Sequence, residues 1–281
     1  MEKKRVLVTG ANGYIGCHVV QELLRRDCHV VACDVRFDRL PDTVERLSAD
    51  IFDPNSDIYA LSGQPDCLIH LAWRNGFQHN ADSHMEDLPR HIRFLSNMIQ
   101  SGLKSLSVMG SMHEVGYWEG AITAQSPTNP LSMYGIAKNA LRQAVEVMTK
   151  GKQIAVHWLR GYYIHGDDAK SNSVLGKILL ADQEGKKTFP FTSGKNLYDY
   201  ISVQDLAKQI VAASLQDRYT GIINCCSGEP ISLSEMAERF IKMHGLNIRL
   251  DYGAFPDRPY DSPGVWGDAT IIRCIMAECE D

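Results

Sequence analysis

The feature that most constrains the fold is a short apolar strand that runs directly into a loop with three evenly spaced glycines. The strand covers Arg5–Thr9, and Gly10, Gly13 and Gly16 lie between it and the body of an amphipathic helix over Tyr14–Arg26. In such a unit the first glycine allows a tight turn, the second lets a pyrophosphate approach the backbone, and the third lets the helix pack against the strand. The helix N-terminus offers N–H groups and partial positive charge to the anion. The unit therefore predicts dinucleotide binding rather than a plain glycine-rich turn.

Strand-like and helical segments alternate through the first 165 residues. Further strands are predicted at His29–Cys33, Arg46–Ile51, Asp66–Ala72, Ser105–Met109 and Ile154–Leu159, and further helices at Asp87–Gln100 and Ser132–Lys150. Beyond this region the rhythm loosens, with helices predicted over Ser173–Glu184 and Ser232–His244 and a strand over Gly221–Cys225. Strands separated by helices pair in parallel through right-handed crossovers.

This pattern predicts a Rossmann-type α/β fold, a doubly wound parallel sheet with a smaller mixed α/β substrate-binding lobe. We expect a dinucleotide-binding domain over residues 1–165 and the smaller lobe over residues 166–281. Residues 199–226 are expected to return to the first domain.

Composition excludes several classes of protein and partner. The 29 Lys+Arg against 34 Asp+Glu give a net charge of −5, so there is no basic field for a nucleic acid backbone. Apolar runs are no longer than a strand, and the N-terminus shows no signal-peptide core. The eight cysteines include no Cys-x-x-Cys pair and no spacing typical of a metal site. We therefore expect a reduced, cytoplasmic protein that binds no membrane, nucleic acid or metal.

An acidic residue at the end of the second strand bears on the choice of cofactor. Asp34 lies 18 residues beyond Gly16, where a carboxylate accepts hydrogen bonds from the adenosine ribose and repels a 2′-phosphate. This favours NAD over NADP. Arg36 follows two residues later, and its guanidinium is suited to accept that phosphate, so NADP stays open.

A tyrosine, a lysine and a serine form the candidate catalytic set. Tyr134 and Lys138 are four residues apart and share one face of the most regular predicted helix. A free phenol has a pKa of about 10, and lowering it to about 7 requires about 4 kcal/mol of preferential stabilisation of the phenolate. We expect the Lys138 ammonium, with an oxidised nicotinamide, to supply it, so that Tyr134 exchanges a proton while hydride moves to or from the nicotinamide. Ser111 follows a strand at its carboxyl edge, where it can bind the same substrate oxygen.

With these motifs in this order, the chain resembles the extended short-chain dehydrogenase/reductases, and more narrowly the sugar-nucleotide epimerase/dehydratase/reductase group. The resemblance covers nearly the whole chain, from VTGANGYIG through PTNPLSMYGIAK to LYDYISVQDLA, where Tyr198 replaces the family's arginine. It implies that NAD is also contacted by Asn12, Tyr14, Ile15, Asp50, Ile51, Leu71 and Ala72. It implies that a nucleotide sugar is contacted by Trp73, Met112, His113, Asn172, Ser173 and Arg258.

One departure from the family pattern narrows the reaction. The 4,6-dehydratases carry Thr-Asp-Glu at the strand-end turn, whereas this chain has Ser111, Met112 and His113, without either acid. The resemblance therefore disfavours a dehydratase. His113 is interpreted as a hydrogen-bonded turn residue, with an auxiliary acid/base role as the alternative.

Three activities stay open at this stage. The favoured one is reduction of a dTDP- or UDP-linked 4-keto-6-deoxyhexose, with Tyr134 as proton donor. The alternatives are an NAD-dependent nucleotide-sugar 4-epimerase and a non-catalytic dinucleotide sensor. The resemblance also implies a homodimer through the helices that contain Ile92, Leu95, Ile99, Ala137, Leu141 and Val145, although these residues are equally suited to pack within the domain.

Overall fold

The computed structural model describes residues 3–166, 173–257 and 261–279. The strands are β1 (Arg5–Thr9), β2 (His29–Cys33), β3 (Glu45–Leu47), β4 (Cys67–His70), β5 (Ser105–Ser111), β6 (Gly120–Ile122), β7 (Ala155–Gly161), β8 (Tyr163–His165), β9 (Thr188–Phe191), β10 (Leu197–Tyr198), β11 (Tyr200–Ser202), β12 (Gly221–Cys225), β13 (Ile231–Ser232), β14 (Arg249–Tyr252) and β15 (Gly264–Gly267). The helices are α1 (Gly16–Arg25), α2 (Ile58–Leu61), α3 (Ser83–Gln100), α4 (Met133–Thr149), α5 (Val174–Gln183), α6 (Val203–Ser214), α7 (Leu233–Met243) and α8 (Thr270–Glu278). None of the helices in these ranges is long and apolar enough to cross a membrane.

Seven strands form one sheet in the order β12-β7-β5-β4-β1-β2-β3, and every neighbouring pair is parallel. The chain order reverses between β1 and β4, and a ligand crevice opens at such a switch point, outside the carboxyl ends of the strands. The predicted doubly wound α/β fold is confirmed.

Two apolar layers cover the faces of this sheet. On one face α1, α6 and α8 bury residues such as Leu23, Ile210 and Ile275. On the other face α3 and α4 bury residues such as Phe94 and Leu141. Most of the residues considered for a dimer face are buried within the chain, namely Leu95, Ile99, Ala137, Leu141 and Val145. Their apolar spacing therefore reflects packing inside the domain.

The smaller lobe is mixed, as predicted. Its main sheet has the order β13-β10-β15-β6, with β10 antiparallel to β13 and parallel to β15. A separate apolar cluster beneath it joins α5 and α7 through residues such as Ile178 and Phe240. The strand β12 lies at the edge of the large sheet beside β7, so the chain returns from the smaller lobe to the first.

Candidate active site

A cavity of about 940 Å³ lies at the carboxyl ends of the central strands and extends to the smaller lobe. Its lining includes the predicted residues Gly10, Gly13, Tyr14, Ile15, Gly16, Asp34, Asp50, Ile51, Leu71, Ala72, Trp73, Ser111, His113, Tyr134, Lys138 and Ser173. Asn12, Arg36 and Met112 are described but are not part of this lining. Asn172 and Arg258 lie outside the described residues. The catalytic set and the glycine loop thus share one cavity.

The glycine loop has the geometry expected of a pyrophosphate cradle. Gly10 has φ of +69°, and a Cβ there would lie 2.7 Å from the backbone nitrogen of Ala72. A Cβ on Gly16 would lie 2.1 Å from the Gly10 carbonyl oxygen, so this glycine allows α1 to begin against the loop. A Cβ on Gly13 would meet nothing beyond Gly10 within 4 Å, and the open space above it is part of the cavity. Because α1 has no side-chain cap, its N-terminus suits an anionic group.

Asp34 and Asn12 join the end of β2 to the glycine loop. The backbone N–H of Asn12 donates to Asp34 Oδ2 at 2.9 Å, and the Asn12 side chain binds Asp38 Oδ1 and the backbone N–H of Arg39. Asn12 therefore braces the loop from outside the cavity. Arg36 is exposed and does not line the cavity, whereas Asp34 does. This arrangement fits a ribose diol at Asp34, the geometry that favours NAD.

We expect Asp34→Ala to lower kcat/KM with NADH by about tenfold, because the carboxylate that binds the ribose is lost. The ratio of kcat/KM with NADH to kcat/KM with NADPH should fall as well. Steady-state kinetics with both cofactors measure this. Asp38→Ala is the matched control, since Asp38 also binds Asn12 but does not line the cavity. Unchanged discrimination in the Asp34 variant contradicts the assigned role.

Tyr134 lies in the first turn of α4, whose N-terminus is capped by the Ser132 side chain. Burial raises the pKa of Tyr134 to about 12, and the neighbouring Ser111 side chain opposes that rise. The lowered pKa expected of Tyr134 requires the positive charges of Lys138 and an oxidised nicotinamide together; in the protein alone, removal of the phenolate from water outweighs the neighbouring groups. The phenol is therefore protonated at neutral pH.

Lys138 lies one helical turn after Tyr134, with its Nζ 5.9 Å from the centre of the Tyr134 ring, and is almost completely buried. Its Nζ donates to the Met109 carbonyl at 2.8 Å and lies 3.8 Å from the centre of the Trp73 ring. Burial lowers the pKa of Lys138 to about 7. Trp73, predicted to bind substrate, stacks on His91 at 4.5 Å between ring centroids, and its ring also supports the Lys138 ammonium by a cation–π contact.

The turn after β5 directs its acid away from the cavity. Glu114 is fully buried, and its carboxylate accepts hydrogen bonds from the Ser111 backbone N–H at 2.6 Å and from Trp158 Nε1 at 2.9 Å. It also pairs with the buried Arg160 guanidinium at 3.4 Å. Glu114 therefore positions Ser111 and is not a replacement for the dehydratase acids. Met112 is 6% exposed and packs in the apolar core, which corrects its assignment to substrate.

Comparison with known proteins fits this geometry. The sequence profile of the NAD dependent epimerase/dehydratase family matches residues 6–226. The chain belongs to this family. It is therefore an enzyme, and NAD is the cofactor, as the sequence predicted.

Relatives of this epimerase/dehydratase-family enzyme have several reactions in their names. The chain is 44% identical over 271 residues to dTDP-6-deoxy-L-talose 4-dehydrogenase (NAD(+)) of Aggregatibacter actinomycetemcomitans, with 93% of this chain and 98% of the relative covered. It is 27% identical to a probable UDP-arabinose 4-epimerase of Oryza sativa subsp. japonica, with 95% and 76% covered. A UDP-N-acetylglucosamine 4-epimerase structure from Methanobrevibacter ruminantium has a TM-score of 0.84 at 20% identity, with 98% and 92% covered, and shows a shared fold.

Sequence reasoning missed several residues of this family member's cavity. Tyr163, Tyr198 and Tyr200 line its side toward the smaller lobe, with the Tyr163 and Tyr198 rings 4.4 Å apart. His79 lines it beside Tyr134. A signal existed for Tyr163, which follows a buried strand at the same carboxyl edge as Ser111. No spacing rule connects His79 to Tyr134, because a long loop brings them together.

Proposed function

We propose that this enzyme is an NAD-dependent oxidoreductase that reduces the 4-keto group of a dTDP-linked 6-deoxyhexose. The observation that carries the proposal is the presence of Ser111, Tyr134 and Lys138 in the cavity that contains the glycine loop. The 44% identical relative, a dTDP-6-deoxy-L-talose 4-dehydrogenase, supports the choice of nucleotide, sugar and carbon. The product proposed on this basis is dTDP-6-deoxy-L-talose.

The chain's own groups perform the proton half of the reaction. The Ser111 hydroxyl and the Tyr134 phenol hold the C4 carbonyl oxygen between them, and Tyr134 donates its proton to that oxygen. A bound nicotinamide supplies the hydride to C4. The raised pKa of Tyr134 supports this direction, because the phenol carries its proton before the reaction begins. The Nζ of Lys138, held by Met109 and Trp73, lies 5.9 Å from the centre of the Tyr134 ring, and we propose that it stabilises the phenolate that the transfer leaves.

Ser173, Asn172 and Arg258 are proposed to contact the nucleotide diphosphate. The Ser173 side chain caps α5 and lines the cavity, which supports its part in this set.

We also propose a homodimer through α3 and α4 in the cytoplasm. The exposed apolar residues on these helices, Met85, Ile136 and Val147, support the dimer, and a scattering mass of one subunit contradicts it.

The deciding experiment incubates the purified enzyme with NADH and a dTDP-linked 4-keto-6-deoxyhexose. We expect NADH to be consumed in a 1:1 ratio with a 4-hydroxy product, and we expect a slower reaction with the UDP-linked sugar and with NADPH. Interconversion of the 4-hydroxy sugars without net use of added NADH favours the 4-epimerase. NADH binding without turnover across a panel of nucleotide sugars favours the sensor.

A further inference from the structure

The loop between β4 and α3 holds an imidazole against the catalytic tyrosine. The backbone N–H of Tyr134 donates to the His79 carbonyl at 2.8 Å, and the neighbouring N–H of Met133 donates to Asn80 Oδ1 at 3.3 Å. These bonds satisfy N–H groups that a helix leaves free in its first turn. The His79 ring lies parallel to the Tyr134 ring, with 12° between their planes and 5.4 Å between centroids. The same loop thus caps the first turn of the catalytic helix and places an aromatic ring against the phenol.

Internal hydrogen bonds fix the shape of this loop. Asn75 Nδ2 donates to Ser83 Oγ at 3.0 Å, and Trp73 Nε1 donates to His84 Nδ1 at 3.1 Å. His84 Nε2 in turn lies 2.9 Å from the Gln78 carbonyl oxygen, which it reaches as the donor because its Nδ1 accepts. His79 therefore lies at a set position relative to Tyr134.

A second imidazole completes the arrangement. The His113 ring lies 4.3 Å from the His79 ring and 5.9 Å from the Tyr134 ring. Both imidazoles line the cavity. Among the described residues, no hydrogen-bond partner lies at Nδ1 or Nε2 of either ring. Burial lowers the pKa of His79 and lowers that of His113 to about 4, so both rings are neutral at neutral pH. A neutral imidazole offers one donor and one acceptor.

We propose that His79 and His113 form a binding site for the sugar hydroxyl next to the reacting carbon. The inference rests on the proposed function, which places C4 at Tyr134. In a 6-deoxyhexose, C5 carries the ring oxygen and the C6 methyl group, so C3 is the neighbour of C4 that carries a hydroxyl. A hydroxyl both donates and accepts, which matches the two imidazoles beside the phenol. His79 is then a specificity-determining residue, because a site built to bind a hydroxyl discriminates against a substrate without it.

The test compares the dTDP-linked 4-keto-6-deoxyhexose with its 3-deoxy analogue. His79→Phe keeps an aromatic ring against Tyr134 and removes both ring nitrogens. We expect it to lower kcat/KM for the parent sugar by about tenfold, the size of one hydrogen bond, and to leave kcat/KM for the analogue at the wild-type value. His79→Gln, which keeps a donor and an acceptor, is expected to recover part of the preference for the parent. NADH binding and the thermal midpoint verify that each variant is folded.

The outcomes separate this inference from the proposed function. If the wild-type enzyme turns over the parent sugar and His79→Phe lowers kcat/KM equally for both sugars, the hydroxyl site is overturned, because a merely structural role affects both substrates alike. An unchanged rate on both sugars also overturns it. Absence of any wild-type turnover overturns the proposed function and this inference with it. If His79→Phe does not fold, the same comparison is made with His79→Gln. In that variant, loss of all preference for the parent sugar over its 3-deoxy analogue overturns the site.

Discussion

We expect Tyr134→Phe to lower turnover by about 10²–10⁴-fold while the fold and NADH binding are retained. The substitution removes one oxygen and keeps the ring, whose contacts with His79, His84 and Trp73 are aromatic. Catalytic proton transfer by a positioned side chain contributes about that factor. Stopped-flow oxidation of NADH with the 4-keto sugar measures the rate, and fluorescence titration measures NADH binding.

Tyr117→Phe is the matched control for this substitution. Tyr117 is 49% exposed, contacts Glu119 through its hydroxyl, and is not part of the cavity lining. Its variant should turn over at the wild-type rate. A Tyr134→Phe enzyme that keeps a near wild-type rate removes the phenol from the mechanism, and the Ser111 hydroxyl then needs another explanation.

The parallel sheet and the glycine loop were predictable because each depends on short-range pattern. The strands Arg5–Thr9 and His29–Cys33 have the predicted bounds. The strand predicted to reach Ile51 ends at Leu47 instead, and shortly beyond it the Asp50 side chain accepts the Phe52 N–H at 2.9 Å, which closes a turn. The spacing of apolar residues does not indicate a side-chain hydrogen bond of this kind, so the early end of the strand could not be predicted from it.

The site was predictable where its residues lie at strand ends or on one helix face. Ser111, Tyr134 and Lys138 were found in this way, and they line one cavity. Burial raises the pKa of Tyr134 in the protein alone, and this contribution could not be predicted, because charge can be counted along a sequence whereas burial cannot. His79 was missed for a related reason, since its role depends on a loop that folds back over α4.

The buried Glu114–Arg160 pair gives the second large expected effect. We expect Glu114→Ala to lower the free energy of unfolding by about 3–5 kcal/mol, because it leaves the fully buried Arg160 guanidinium without its carboxylate. It also removes the acceptor from the Ser111 N–H, so turnover falls with stability. Urea denaturation followed by far-UV circular dichroism measures the free energy.

Two further variants decide whether the effect comes from the unpaired charge. Glu146→Ala is the surface control, because Glu146 is 72% exposed and pairs with Arg142, and its loss should cost less than about 1 kcal/mol. Adding Arg160→Met to Glu114→Ala also removes the guanidinium, and it should recover part of the lost stability, because no unpaired charge then stays buried. If the double variant is less stable than Glu114→Ala, then Arg160 stabilises the fold through its bond to the Thr123 carbonyl and its packing, and the carboxylate acts mainly on Ser111.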